Sequence, residues 1–170
     1  MPKAVRTFVR YVDVANRVVG RFAMYLIFVM MGVLLFASIS RGVFNVSHIW
    51  VVEMAQMTMA AYYILGGGYS MQLDSHVRMD LLYGRWSTKT RAIVDMVTGC
   101  CLIFYVIFLL YGGISSTQYA IEYNQKNYSS WAPPMAPIKV IMTFGIAMML
   151  LQVLATFFKD MEKAKGGSAA

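Results

Sequence analysis

The side chain with the clearest chemical potential in this sequence is Glu53, an acidic residue well inside a long apolar stretch. A charge at the centre of a membrane span costs about 2.5–3.5 kcal/mol, and less near the interface, so such a carboxylate needs a partner, a proton or water. Gln56 lies three residues on and shares its helix face, and Arg41 closes the preceding apolar stretch. The sequence predicts an Arg41–Glu53 ion pair that ties two helices together. The alternative is a carboxylate that couples protons or cations.

A second cluster of polar residues, His76, Arg78 and Asp80, follows the same apolar stretch. His76 and Asp80 are four residues apart and could share a helix face, which is compatible with a weak metal site. Two ligands are too few for a specific metal. We therefore favour hydrogen bonds and ion pairs that secure a loop, and we predict no metal site, no cofactor and no catalytic residue in the chain.

The composition indicates a membrane protein. The chain has 170 residues, of which 59% are hydrophobic and 14% charged, whereas a soluble domain has roughly 25% charged residues. That excludes an ordinary soluble enzyme, a nucleic-acid-binding module and a disordered tail. The net charge is +7, and because the basic residues flank apolar stretches, the expected anionic partner is phospholipid and not nucleic acid.

Four stretches are long and apolar enough to cross a hydrocarbon core of roughly 30 Å. Backbone groups in lipid must satisfy their own hydrogen bonds, so these stretches are expected to be helices. The predicted fold is an all-α membrane protein with four transmembrane helices, in one domain of residues 1–165 with a flexible tail at 166–170. The predicted spans are Phe22–Ser40, Ile49–Gln72, Ala92–Tyr111 and Ile138–Phe158.

The distribution of lysine and arginine predicts the orientation of these spans, because cytoplasmic segments carry an excess of both residues. The N-terminal segment, the second loop and the C-terminus hold 12 of them, and the segments on the other side hold 3. Both termini are therefore expected to be cytoplasmic.

The residues before the first span are predicted to form an amphipathic helix. Apolar residues recur on one side at helical spacing and basic residues on the other, which is typical of a helix that lies in the membrane interface. The alternative is a charged extension of the first span. The apolar positions are Val5, Phe8, Val9, Val12 and Val19, and the polar ones are Arg6, Arg10, Asp13, Arg17 and Arg21.

The loop from Gly112 to Pro137 is the longest segment on the outer side and ends in a proline-rich run. Trp131 fits the aromatic belt at the lipid headgroups. With Tyr123 and Tyr128 nearby, it makes this loop a candidate docking surface for an extracytoplasmic partner.

Three segments resemble the small membrane subunit of tripartite ATP-independent periplasmic (TRAP) transporters, the DctQ family. They are Trp50–Glu53, which opens the second span, Ser75–Leu82, which follows it, and Trp131–Lys139, which leads into the last span. Together with four spans and internal termini, the resemblance covers roughly residues 10–160.

The resemblance implies a division of labour in a bacterial inner membrane. A large multi-span permease subunit holds the substrate and sodium sites, a periplasmic substrate-binding protein delivers an organic acid, and the small subunit braces the large one. It also implies two groups of structural residues: Arg41, Trp50, Glu53 and Gln56 near the outer face, and His76, Arg78 and Asp80 on the cytoplasmic side.

The function expected on this basis is an accessory scaffold subunit for sodium-driven, binding-protein-dependent uptake. A self-sufficient small carrier coupled through Glu53 is the alternative. A membrane enzyme or electron-transfer subunit is less favoured, because His48 and His76 lie at opposite faces and Cys100 and Cys101 are adjacent, without redox spacing.

Overall fold

The structure is a computed structural model that describes residues 3–73 and 88–164. These residues form four α-helices, which confirms the all-helical prediction for the described part of the chain. The helices are α1 (Lys3–Phe44), α2 (Trp50–Gln72), α3 (Thr88–Glu122) and α4 (Ala136–Ala164).

Helix α1 is continuous over 42 residues, or about 63 Å at 1.5 Å per residue. No proline interrupts it, so nothing removes a backbone hydrogen bond along its length. The prediction of a separate interfacial helix before the first span is therefore wrong, and the alternative, a charged extension of that span, is what the structure shows. Part of the apolar surface of this extension is covered by protein, because Val9 and Val12 are buried and pack with Ala155 of α4.

The helices pack as a three-helix core with a fourth helix on one side. Helix α1 packs along α2, α2 packs along α4, and α1 also contacts α4 over a shorter length. Helix α3 packs along α4. Most large side chains of α3 are exposed on the surface of the chain, Phe104, Tyr105, Phe108 and Tyr111 among them.

The ends of α3 and α4 are fixed by local sequence. Helix α3 ends in a Schellman motif, in which Gln125 N–H donates to the Ala120 carbonyl (3.1 Å) and Asn124 N–H to the Ile121 carbonyl (3.5 Å). Asn124 takes the left-handed conformation that this motif requires, with φ 45°. Helix α4 begins at Ala136, and Pro137 lies in its first turn, where a missing N–H costs nothing.

Three of the four described helices are long and apolar enough to cross a membrane: Val5–Phe44, Val97–Glu122 and Ala136–Met161. Helix α2 has 23 residues but is not among them, because Glu53, Gln56 and three glycines dilute its apolar side chains. It lies between α1 and α4 and has fewer exposed residues than α1. The span predicted over Ile49–Gln72 therefore remains a prediction, as does the orientation of the termini.

Candidate functional site

Five polar side chains meet where the N-terminal third of α1 packs against the ends of α2 and α4. We call them the N-terminal polar cluster: Asp13 and Asn16 from α1, Gln72 from α2, and Gln152 and Lys159 from α4. The cluster draws on all three core helices and so fixes their relative position.

The centre of this cluster is a buried pair of amides, Asn16 and Gln152, which are 1% and 0% exposed. Asn16 Nδ2 donates to Gln152 Oε1 at 2.9 Å and to the Val12 carbonyl at 3.2 Å, and it lies 3.5 Å from the Met148 carbonyl. Buried polar groups are costly unless they are hydrogen-bonded, so these bonds hold α1 against α4 in one register.

The outer edge of the cluster is an ion pair. Lys159 Nζ lies 2.8 Å from Asp13 Oδ2, and Gln152 Nε2 donates to Asp13 Oδ1 at 3.0 Å. Gln72 Nε2 donates to the backbone carbonyl of Asp13 at 3.1 Å, which brings in α2. Both oxygens of the Asp13 carboxylate are therefore engaged within the chain.

Close packing of α1, α2 and α4 at and next to the cluster depends on three glycines. A methyl group at Gly20 would collide with Tyr69, at Gly68 with the Asn16 amide, and at Gly145 with Ile64, including its backbone. Helices associate in lipid through such close contacts. Gly66, in contrast, has open space where a side chain would go.

A second polar junction joins α3 to α4 near the loop between them. The Thr117 and Thr143 hydroxyls are 2.8 Å apart, and Thr117 Oγ1 donates to the carbonyl of Gly113 (2.7 Å) or of Lys139 (3.2 Å). Lys139 Nζ donates to Gln125 Oε1 at 2.7 Å. This seam holds α3 in the described structure.

The loop between α3 and α4 is tied back on itself by backbone hydrogen bonds: Met135 N–H donates to the Gln125 carbonyl (2.9 Å), and Asn127 N–H to the Pro133 carbonyl (3.0 Å). The three aromatic residues predicted to dock a partner are at its surface. Tyr128 is fully exposed, Tyr123 is 64% exposed and Trp131 is 43% exposed.

The structure does not contain the predicted Arg41–Glu53 ion pair. Glu53 is 7% exposed, and its Oε2 has no hydrogen-bond partner among the described residues. Arg41 is exposed. The reason is helical phase: Ser40 faces inward, and the next residue is turned by about 100°, away from α2.

The other predicted structural residues are placed as follows. Trp50 lies at the start of α2 beside the rings of Phe36 and His48, at 6.4 and 6.1 Å between centroids. Gln56 is exposed. The predicted cluster His76, Arg78 and Asp80 lies outside the described residues. Among the residues that are described, no three histidine, cysteine, aspartate or glutamate side chains lie together as a metal site would need.

An apolar groove of about 830 Å³ lies between α1, α2 and α4. Its lining includes Phe22, Met57, Leu65 and Phe144, and its one polar lining residue in the described chain is Thr58. The Thr58 hydroxyl donates to the Met54 carbonyl at 2.7 Å. A polar solute or an ion in this groove would find no free polar side chain.

Sequence reasoning missed the N-terminal polar cluster. Asn16 follows Val9 and Val12 on the apolar face of α1, and Gln152 lies inside the last apolar stretch. A single polar residue at an inward position of an apolar helix was the available signal. It identifies a buried polar group but not its partner.

The long apolar helices and an interior devoted to helix packing define a helical membrane protein. The family model described as "Tripartite ATP-independent periplasmic transporters, DctQ component" matches residues 30–163, and the chain belongs to this family, as the three resembling segments predicted. It is thus the small permease component of a TRAP transporter. None of the curated proteins matches the chain.

Proposed function

We propose that this chain is the accessory subunit that braces the large permease subunit of a TRAP transporter for sodium-driven uptake of an organic acid. The transporter would lie in a bacterial inner membrane, with both termini of this chain in the cytoplasm and α2 as its second of four spans. The substrate and sodium sites would belong to the large subunit.

The observation that carries this proposal is the way the chain uses its interior polar groups. The N-terminal polar cluster and the Thr117–Thr143 seam connect helices of the same chain. The groove between α1, α2 and α4 is apolar, and the hydroxyl of its one polar lining residue is already bonded. A carrier would need polar groups near the middle of the membrane. This interior is suited to a fixed support.

The alternative, a self-sufficient carrier coupled through Glu53, draws no support from the family match. Glu53 is buried and unpaired at Oε2, but it stands in the first turn of α2. A coupling path would need further polar side chains, and the groove beside α2 is lined by apolar ones except for Thr58, whose hydroxyl is bonded to the Met54 carbonyl.

The test is reconstitution into proteoliposomes with an inward sodium gradient. We expect radiolabelled organic acid to accumulate only when this chain, the large permease subunit and the substrate-binding protein are all present. Omitting this chain should abolish uptake and lower the yield of folded large subunit. Uptake by this chain alone would contradict the proposal.

The variant Glu53→Gln separates the two functions within the same assay. A bracing role predicts that assembled complexes transport with an unchanged sodium dependence, because Glu53 would not bind the coupling ion. A carrier role predicts assembled complexes that no longer respond to the gradient. Gln56→Glu adds a charge three residues away at an exposed position and serves as the control for altered charge on α2.

We also propose that the exposed aromatic residues of the α3–α4 loop contact the substrate-binding protein. Tyr and Trp are common at the centres of protein interfaces, and Tyr128 and Trp131 lie at the surface of a loop held by its own backbone bonds. The variant Y128A/W131A should weaken capture of the binding protein by the reconstituted complex without changing the amount of complex. Unchanged capture would contradict this assignment.

A further inference from the structure

Four arginines of α1 form a stripe on a side of the helix that stays exposed in the described structure. Arg6, Arg10, Arg17 and Arg21 are separated by four, seven and four residues, so at about 100° per residue they fall within about 60° of the helix circumference. All four are exposed. None forms a hydrogen bond or an ion pair with a residue that the structure describes.

The stripe borders an open cavity of about 740 Å³ that Arg6, Arg10 and Arg17 line together with Asp13. Asp13 does not neutralise it, because its carboxylate charge is already paired with the Lys159 ammonium group at 2.8 Å. The surface therefore carries positive charge without a matching acid in the described structure, and it is complementary to an anion.

Exposed apolar side chains lie directly beside the arginines: Tyr11, Val14, Val18 and Phe22. A soluble anion would need only the guanidinium groups. A phospholipid presents an anionic phosphate next to hydrocarbon, and so matches both halves of this surface. Helix α1 also continues from the stripe into its long apolar segment, which brings the surface to a bilayer.

We propose that this stripe binds the headgroups of anionic phospholipids, with Arg17 and Arg21 in direct contact and Arg6 and Arg10 attracting the lipid at longer range. Arginine pairs with phosphate oxygens in a bidentate way. The stripe runs about 22 Å along the helix, whereas the headgroup zone of one leaflet is only about 5–7 Å deep. Arg17 and Arg21 are nearest the apolar segment and make the strongest contacts. The family match begins at residue 30, so this surface lies outside it.

The test measures retained lipid on the purified full chain in mixed micelles that contain phosphatidylglycerol or phosphatidylcholine, by native mass spectrometry. We expect the chain to retain phosphatidylglycerol in preference to phosphatidylcholine. R17Q/R21Q should lower phosphatidylglycerol retention by about tenfold or more, since each basic residue near an anionic surface contributes about a fivefold factor. R6Q/R10Q should lower it less. R17K/R21K keeps the charge and should keep most of the retention.

The matched control is R41Q/K126Q, which removes two exposed cations far from the stripe and should change retention by less than about twofold. If R17Q/R21Q does not fold, the single variants R17Q and R21Q should each give about a threefold to fivefold loss.

Three results would overturn the proposal. The first is unchanged retention of phosphatidylglycerol by R17Q/R21Q or by its single variants. The second is displacement of phosphatidylglycerol by millimolar inorganic phosphate, which would indicate a site for a soluble anion. The third is loss of binding to the large permease subunit with lipid retention intact, which would make the stripe a protein interface.

Discussion

The core of α1, α2 and α4 and the outlying helix α3 are held in place by different means. The three core helices share the N-terminal polar cluster and the tight glycine contacts at Gly20, Gly68 and Gly145. Within residues 3–73 and 88–164, helix α3 packs along α4. The contact between these two helices depends on the Thr117–Thr143 pair and on small residues such as Gly113.

The comparison is instructive because the hydrophobic effect does not drive helices together in lipid. An apolar side chain of α3 is as well solvated by acyl chains as by α4, so only close packing and hydrogen bonds favour association. The core has both across three helices, and α3 has them on one side. We infer that α3 is the helix that can separate or rearrange, whereas the core keeps one arrangement.

The largest expected effect comes from adding a side chain at Gly145. Gly145→Val would place methyl groups against the side chain and backbone of Ile64, and a backbone neighbour cannot turn away. Overpacking of this kind costs typically 1–3 kcal/mol, and we expect the upper part of that range, as a fall in the thermal midpoint of the detergent-solubilised chain.

Gly112→Val is the matched control for this variant, because nothing lies within 4 Å of a side chain there and the change in residue type is the same. It should shift the midpoint little. Equal shifts for the two variants would mean that the core is no more tightly packed than the surface of α3.

The next largest effect is expected from the buried amides. Asn16→Ala removes the donor to Gln152 and leaves Gln152 Oε1 without that bond inside the core. An interhelical hydrogen bond in a membrane protein contributes about 0.6 kcal/mol on average and at most about 1.7, while an unsatisfied buried group adds about 1–3 kcal/mol of cost. The variant also removes Asn16 Oδ1, a buried oxygen that has no hydrogen-bond partner among the described residues. Because this offsets part of the cost, we expect a net loss of about 1–2 kcal/mol in the free energy of unfolding.

A double-mutant cycle with Gln152→Leu isolates this pair. If the two amides act on each other, the double variant should lose less than the sum of the single variants, by about 0.5–1.5 kcal/mol. Additive losses would show that each amide acts separately, and the N-terminal polar cluster would then not be a joint between helices.

The sequence predicted the helices better than their ends or contacts. Hydropathy located the apolar centres of α1, α3 and α4, but α3 continues to Glu122, past the predicted end at Tyr111, because a helix can go on after its apolar residues stop. The Arg41–Glu53 pair failed because proximity along the chain does not fix helical phase. The Asn16–Gln152 contact joins residues 136 apart in sequence, and their types alone could not pair them.

A smaller effect, which is local to α3, is expected from the Thr117–Thr143 contact between α3 and α4. Thr117→Val removes the hydroxyl that bonds to Thr143 and to backbone carbonyls while it keeps the volume of the side chain. We expect a loss of about 0.6 kcal/mol. Hydrogen exchange should become faster in α3 and stay unchanged in α1 and α2, because local opening need not involve the core.

Thr98→Val is the control for the seam, since the Thr98 hydroxyl is bonded to the Val94 carbonyl of its own helix. It should leave the exchange of the outer part of α3 as it is. Faster exchange in α1 and α2 after Thr117→Val would mean that α3 supports the core, and the distinction between the two regions would have to be abandoned.

The smallest effect is expected at the Asp13–Lys159 ion pair. Its side chains are 21% and 37% exposed, and water screens such pairs, which contribute about 0.2–1 kcal/mol. Lys159→Gln should therefore lower stability by only a few tenths of a kcal/mol, at the low end of that range, and by less at high salt, where screening already weakens the pair. Lys126→Gln, at an exposed loop position, controls for the change in net charge. A loss of stability that does not depend on salt would mean that the hydrogen bonds from Gln152 and Gln72 to Asp13 stabilise this edge of the N-terminal polar cluster, and not the ion pair. Neutral amides would then hold the core helices together at both the centre and the edge of the cluster.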